Sequence, residues 1–191
     1  KNFKRLMAYS SIAHGGYMMI AFAAATEGAQ WAVFLYLMAY VLMNLGAFAV
    51  AMLVERSRRS EEISAFTGIG RSNPFISICM IIFLVSMVGL PPFAGFIGKL
   101  FVFKAGIEAN LTWLVIIAVL TSTISLYYYV NIIKHMYFIK YEGEQEVPKV
   151  RTSRVYFVVI GFCAVATILM VVLPSIFISV SENAVVAGLG F

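Results

Sequence analysis

Apolar residues fall along this chain in long runs separated by short charged loops. The first run extends from about Leu6 to Ala25 and carries a polar patch, Ser10-Ser11-Ile12-Ala13-His14-Gly15-Gly16. The second extends from Trp31 to Val54, with Asn44 inside it. An arginine-rich loop from Glu55 to Arg71 follows, and Asn73-Pro74 is a helix-start signal. Apolar character resumes at Phe75, meets Pro91-Pro92, and continues from Phe93 to Ile107. A fourth run covers Trp113 to about Ile133. The most polar stretch, Lys134 to Arg154, contains Glu142, Glu144, Glu146 and Pro148, and the last run, Val155 to about Val180, has Pro174 near its end. Runs of about twenty residues suit helices crossing a ~30 Å hydrocarbon core, whereas barrel strands need only ~10. The pattern predicts an all-α integral membrane bundle.

Composition agrees. Of 191 residues, 62% are apolar and 12% charged, and a soluble domain of this size has no interior large enough for that apolar excess. Only two cysteines occur, Cys79 and Cys163, each inside an apolar run. Without a CxxC or a His/Cys cluster, neither an iron–sulfur cluster nor a zinc site is supported, and both cysteines read as small buried hydrophobes. No glycine-rich nucleotide-binding motif is present. The net charge of +5 does not indicate nucleic acid, because the basic residues flank apolar runs, where they orient a membrane protein.

Charge placement decides how the segment from 75 to 107 is counted. As one discontinuous crossing, it gives five crossings in all, near 6–25, 31–54, 75–107 (broken near 89–95), 112–133 and 155–180. The N-terminal tail, the 55–71 loop and the 134–154 loop then share one side, with twelve of the fourteen Lys and Arg residues. The opposite side keeps only Glu27, Glu108 and Glu182. Counting two crossings would erase this asymmetry, so the positive-inside bias favours one. It puts the basic loops in the cytoplasm or matrix and the C-terminus outside, in an energy-transducing membrane, with a bacterial plasma membrane as the natural setting.

Lys99 then lies inside a crossing. About eight residues separate it from the outer end near Ile107, or ~12 Å of helix, too deep for comfortable snorkelling. A lysine at that depth costs ~2.5–3.5 kcal/mol on insertion scales. The break supplies what offsets that cost. Pro91 and Pro92 lack N–H donors, so backbone carbonyls near Val88 to Leu90 lose helical partners. Gly89, Gly95 and Gly98 permit irregular backbone and close approach. Irregular backbone survives at membrane depth only inside protein or beside a wet cavity, and broken helices with an adjacent charge are typical of ion-translocation sites. Low dielectric disfavours the charged form of an amine, the property a proton relay requires. The residues alone leave two readings open: a proton relay at Lys99, or a structural lysine paired within the protein.

GLPPFAGFIGKLFVF (89–103), SLYYYVNIIKHMY (125–137) and KRLMAYSSIAHGGY (4–17), in that combination, resemble the C-terminal part of the subunit N, or subunit-2-type, family of antiporter-like membrane subunits of NADH-quinone oxidoreductase, respiratory complex I. The KR-x-x-AYS element alone is shared across the wider proton-antiporter-like family. The resemblance implies a fold of about fourteen helices with two broken ones, and a buried lysine or glutamate at the second break, where Lys99 stands. Lysine there is similar to subunit N rather than its M-type sibling. The lack of an HxxxH in YLMAYVLMNLGAF separates the chain from the L-type. An earlier broken helix and its charges would precede residue 1, so another half of the pathway is expected on the same polypeptide or another chain. NADH, flavin, iron–sulfur clusters and quinone would belong to partner subunits, with no cofactor or redox centre here.

The resemblance and the residue types together make Lys99, His14 and Lys4 the proton-translocation candidates, with Gly89, Pro91, Pro92, Gly95 and Gly98 as the broken-helix backbone. His14, beside Ser10, Ser11 and Gly15, can join a proton wire or simply serve helix packing. Lys4 can feed such a pathway or fix orientation at the interface. Lys104 reaches Glu108 at i+4. Tyr127, Tyr128 and Tyr129 fit an aromatic belt, and Asn44 an interhelical hydrogen bond. The expected function is a proton-translocating membrane subunit of the oxidoreductase among its other membrane subunits. A multisubunit cation/proton antiporter subunit and a structural membrane spacer are the alternatives.

Overall fold

A computed structural model of the chain describes residues 1–26, 28–141 and 149–189. Glu27, Glu142, Glu144, Glu146 and Pro148 lie outside the described residues. Eight α-helices run in order: α1 Phe3–Ala24, α2 Ala29–Arg58, α3 Ile69–Ser72, α4 Pro74–Val88, α5 Ala94–Glu108, α6 Thr112–Tyr137, α7 Arg154–Val172 and α8 Pro174–Leu189. A 3-10 turn at Ile63–Phe66 precedes α3. The chain is an all-α membrane bundle. By length and composition α2, α6 and α7 can each cross a membrane, while α4 and α8 are shorter apolar helices.

Local chemistry explains the helix ends. The Asn2 side chain accepts from the Arg5 amide at 2.9 Å and caps α1. Arg56 and Arg58 occupy the last turn of α2, where cations suit the negative end of the helix dipole. Pro74 opens α4 at a position whose N–H would be orphaned anyway. Gly89 ends α4 with φ +87°, a left-handed conformation that favours glycine. The chain resumes as α5 after Phe93, so the interruption spans 89–93, within the 89–95 expected. The last run behaves differently from its expectation of one helix over 155–180. It divides at Leu173, because Pro174 has no N–H to continue α7 and instead starts α8.

The long helix α2 is the hub, packing against α1, α4, α5, α7 and α8. Met43, Ala47, Val50 and Val54 of α2 are buried with Met80, Phe83, Leu84 and Met87 of α4. Close approach needs glycine at several places, two of them on α2 and α5. A Cβ on Gly46 would fall 2.2 Å from the Phe83 ring, and one on Gly95 would fall 1.8 Å from the Ser86 carbonyl oxygen. The second contact ties the halves of the broken helix together, since the Gly95 amide donates to Ser86 Oγ at 3.0 Å.

One end of the bundle gathers the polar segments. The Phe3 amide bonds Glu61 O and the Ile63 amide bonds Lys1 O, each at 2.8 Å. Lys4 reaches Glu55 at 2.9 Å and Glu61 at 2.7 Å. The Gly68 amide donates to His135 O, and Asn73 makes a reciprocal pair with the Val150 backbone at 3.1 and 2.8 Å. These contacts hold the N-terminal tail, the 55–73 loop, the end of α6 and the segment before α7 together. Away from them, Lys104 meets Glu108 at 3.7 Å, the expected i,i+4 pair.

Two outcomes follow from these contacts. Gly95→Ala should lower the melting temperature of the purified protein, because overpacking against backbone costs ~1–3 kcal/mol or more. Gly15→Ala, where nothing lies within 4 Å, should leave it unchanged, and equal effects would deny the close packing at Gly95. The second concerns Glu61, whose carboxyl is held below its ordinary value by the hydrogen bond from Lys4 and then that from Asn2. Its contribution is present above the unfolded carboxylate range and is lost as pH falls through the lowered value. The amide-exchange protection factor of Ile63 should therefore fall in acid, and Glu61→Gln should lower it already at neutral pH. A protection factor insensitive to both would show that the pair does not hold this loop.

Candidate functional site

The break between α4 and α5 leaves specific carbonyls without helical partners. In a continuous helix the Met87 and Val88 carbonyls would accept from the amides of residues 91 and 92. Both of those residues are proline, so neither amide exists. Lys99, one and a half turns into α5, takes both carbonyls: Nζ donates to Met87 O at 3.1 Å and to Val88 O at 2.8 Å. The third ammonium donor goes to Ser122 Oγ of α6 at 2.6 Å, and Ser122 in turn donates to Val88 O at 3.0 Å. All three donors of the ammonium are used. The orphan carbonyls were expected at Val88 to Leu90; the pair that receives the lysine sits one residue earlier, at the i−4 positions of the two prolines.

Among the described residues the site is electrostatically matched without any acidic side chain. Lys99 is only 4% exposed, and it lies at the C-terminal end of α4, where the helix dipole is negative. Hydrogen bonds to a charged group contribute ~1.5–3 kcal/mol each, so three of them offset the ~2.5–3.5 kcal/mol of placing a lysine at depth. The Tyr17 ring adds a cation–π contact, with Nζ 4.8 Å from its centroid. Gly89 gives the lysine stem its room: a Cβ there would meet Lys99 Cδ at 2.8 Å. Gly98 does the same for Tyr36, whose ring would lie 2.4 Å from a Cβ. A cavity of about 360 Å³ beside the lysine is lined in part by Gly89, Lys99, Phe103 and Ser122. That is space enough for water.

His14 belongs to the same buried region. Its ring stands edge-on to Tyr17 at 5.7 Å between centroids, so Tyr17 touches both Lys99 and His14. Its Nδ1 lies 2.6 Å from the Tyr36 hydroxyl and its Nε2 3.4 Å from the Tyr129 hydroxyl. Tyr129 also bonds Ser10, and Tyr40 donates to Ser11 Oγ at 2.7 Å. The serines beside His14 thus act through tyrosines of α2 and α6. Lys4 is elsewhere: partly exposed, clamped between Glu55 and Glu61 at the polar end, and outside this network.

Sequence reasoning missed Tyr17, Tyr36 and Ser122, and placed Tyr129 in an aromatic belt with Tyr127 and Tyr128. Tyr127 is 83% exposed, but Tyr129 is buried at 1%. Successive residues of a helix differ by about 100°, so three adjacent tyrosines cannot share one face. The signal for the missed residues was periodic. Ser10, His14 and Tyr17 are spaced four and three on α1; Tyr36 and Tyr40 are spaced four on α2; Ser122, Ser125 and Tyr129 are spaced three and four on α6. Each set is a polar stripe on an apolar helix. The carbonyl oxygen of the Asn44 side chain is buried and has no hydrogen-bond partner among the described residues.

Residues 1–125 match the family described as NADH:quinone oxidoreductase/Mrp antiporter, transmembrane. NADH-quinone oxidoreductase subunit N of Trichlorobacter lovleyi is 36% identical over 185 residues, covering 96% of this chain and 38% of that protein. The chain therefore spans well under half the length of this relative. A chain of respiratory complex I from Thermus thermophilus with bound aureothin superposes with a TM-score of 0.79 at 30% identity, over 94% of this chain and 40% of that one. A chain of the Mrp complex from a Dietzia species shares the fold, with a TM-score of 0.81 at 15% identity, over 94% of this chain and 41% of that one. With its motifs, its broken helix and this match in sequence, the chain belongs to the NADH:quinone oxidoreductase/Mrp antiporter transmembrane family.

Proposed function

We propose that the chain is the C-terminal part of a proton-translocating membrane subunit of an NADH:quinone oxidoreductase, with Lys99 as its proton relay. The observation that carries this reading is the buried ammonium seated on the Met87 and Val88 carbonyls and Ser122, with no acidic counter-ion among the described residues. A permanent ion pair would fix the charge on the lysine. On losing its proton Nζ keeps two N–H donors for the Met87 and Val88 carbonyls, and Ser122 can turn its hydroxyl from Val88 O to the freed lone pair, so the proton can leave when another positive charge approaches and return when it departs. Ser122 accepts from Lys99 and donates back to Val88 O, so the proton is exchanged with water in the cavity beside Lys99. The tyrosine and serine hydroxyls around His14 offer a continuation across α1, α2 and α6.

In this reading the remaining helices of the subunit, and the other membrane subunits, complete the pathway. NADH oxidation, flavin, iron–sulfur clusters and the quinone reaction belong to partner chains. This chain has two cysteines, both buried and unpaired, and four thiolates are the usual ligand set of such a cluster. The relatives more than 30% identical that carry the subunit N name favour the redox complex over a cation/proton antiporter. Co-purification separates the two, since flavin and iron–sulfur partners accompany only the former. The basic end of the bundle faces the cytoplasm in this arrangement.

The test is proton pumping per electron transferred in vesicles holding the complete complex with its full-length subunit. Lys99→Met should cut pumping sharply while the complex still assembles. Lys99→Arg should also impair it, because guanidinium keeps its proton at physiological pH. Lys99→Glu should retain part of the function, since a buried carboxyl titrates nearer neutrality. Full pumping by the methionine variant would overturn the relay and leave Lys99 a structural residue.

A further inference from the structure

Lys4 bonds both acidic side chains nearest it at the basic end, Glu55 and Glu61. Beside that clamp, a cavity of about 600 Å³ opens between the end of α2 and the start of α7. Arg56, Arg59, Lys149 and Arg151 line it, together with hydroxyl residues including Ser57 and Tyr156. Among the described residues no Asp or Glu lines it and none of the four cations has an ion-pair partner; Arg56 and Arg59 also border the neighbouring cavity lined by Glu55 and Glu61. Four like charges held around one cavity repel one another, and an anion at its centre removes that cost. The start of α7 adds to the attraction. Ser153 stands at its N-cap without a side-chain hydrogen bond to the helix, so the positive end of the dipole is open to an anion.

The position of the cavity narrows the ligand. α2 and α7 are both long and apolar enough to cross a membrane, and the cavity sits at their polar ends, where a crossing places the lipid headgroups. Exposed apolar side chains begin within about a turn of it: Met52 on α2, then Val155 and Val158 on α7. A soluble anion would use the cations and leave that apolar continuation unused. We propose that this cavity seats the phosphate headgroup of an anionic phospholipid, with its acyl chains along the exposed apolar faces of α2 and α7. The site is separate from Lys99, and the proposal stands whether or not Lys99 relays protons.

The test uses the complete complex in phosphatidylcholine vesicles doped with a photoactivatable phosphatidylglycerol, or with a photoactivatable phosphatidylcholine of the same chains. Peptide mapping should find the phosphatidylglycerol probe attached to 149–159 or 52–59, and the phosphatidylcholine probe attached there several-fold less. Excess unlabelled phosphatidylglycerol should displace it, and inorganic phosphate at equal concentration should not. Arg56→Gln, Arg59→Gln and Arg151→Gln combined should lower the labelling about tenfold or more, because each basic residue at an anionic surface contributes several-fold. Labelling of other segments should not change. Equal labelling by both probes would reduce the cavity to generic lipid contact. Displacement by inorganic phosphate alone would make it a soluble-anion site. Either result, or no labelling in the unmodified complex, overturns the proposal.

Discussion

The ammonium of Lys99 on the Met87 and Val88 carbonyls is the interaction around which this chain is arranged. Each partner would be unfavourable alone: a lysine inside an apolar bundle, and a helix end with unsatisfied carbonyls away from water. Together they satisfy one another. The two prolines create the acceptors by removing the amides that would have used them. Gly89 turns the chain at φ +87° and leaves space for the lysine stem. Gly95 lets the restarted helix press against Ser86, which bonds its amide and fixes how α5 leaves the break. A proline pair, two glycines and one lysine thus form a single device, with Ser122 of α6 as its third wall.

Much of that device was legible in the chain itself. The break, the depth of Lys99 and the need for backbone acceptors all follow from an apolar run interrupted by Pro91-Pro92 and followed by a lysine. From the sequence the acceptors are expected near Val88 to Leu90; the structure puts them at Met87 and Val88, because the carbonyl that loses its partner is the one four residues before each proline. The roles of Ser122, Tyr17 and Tyr36 were not legible in the same way. A serine or tyrosine in a membrane helix is compatible with many environments, and only the packing of α1, α2 and α6 around α5 decides which hydroxyls face inward. Tyr129 shows the limit most clearly: its neighbours Tyr127 and Tyr128 share its chemistry, and helix rotation alone separates a buried network member from an exposed ring. Pro174 was visible as well, but whether a proline bends a helix or divides it depends on what packs beside it; here α7 stops at Val172 and α8 begins anew.

Charge is distributed by function rather than evenly. The polar end carries partly exposed pairs, with Lys4 held by two carboxylates, and basic side chains at the end of α2 and before α7 facing an open cavity. Among the described residues the interior carries a single buried Lys or Arg, Lys99, with neutral acceptors. This division explains why Lys4 and Lys99, both candidates from the sequence, have different neighbours. An exposed lysine gains little from an ion pair and serves to fasten a loop. A buried lysine without a counter-ion stays responsive to charge around it.

The most direct test of the shared device is amide hydrogen exchange at the end of α4. The Gly89 amide bonds Val85 O and Ser86 O, and the Leu90 amide bonds Val85 O. If Lys99 caps this helix end, Lys99→Met in the complete complex should speed exchange at Gly89 and Leu90 by roughly tenfold or more, as expected for losing hydrogen bonds to a charged group. Exchange in the middle of α2 should stay as it was. Unchanged exchange at Gly89 and Leu90 would contradict the account, since the break would then hold its shape without the lysine.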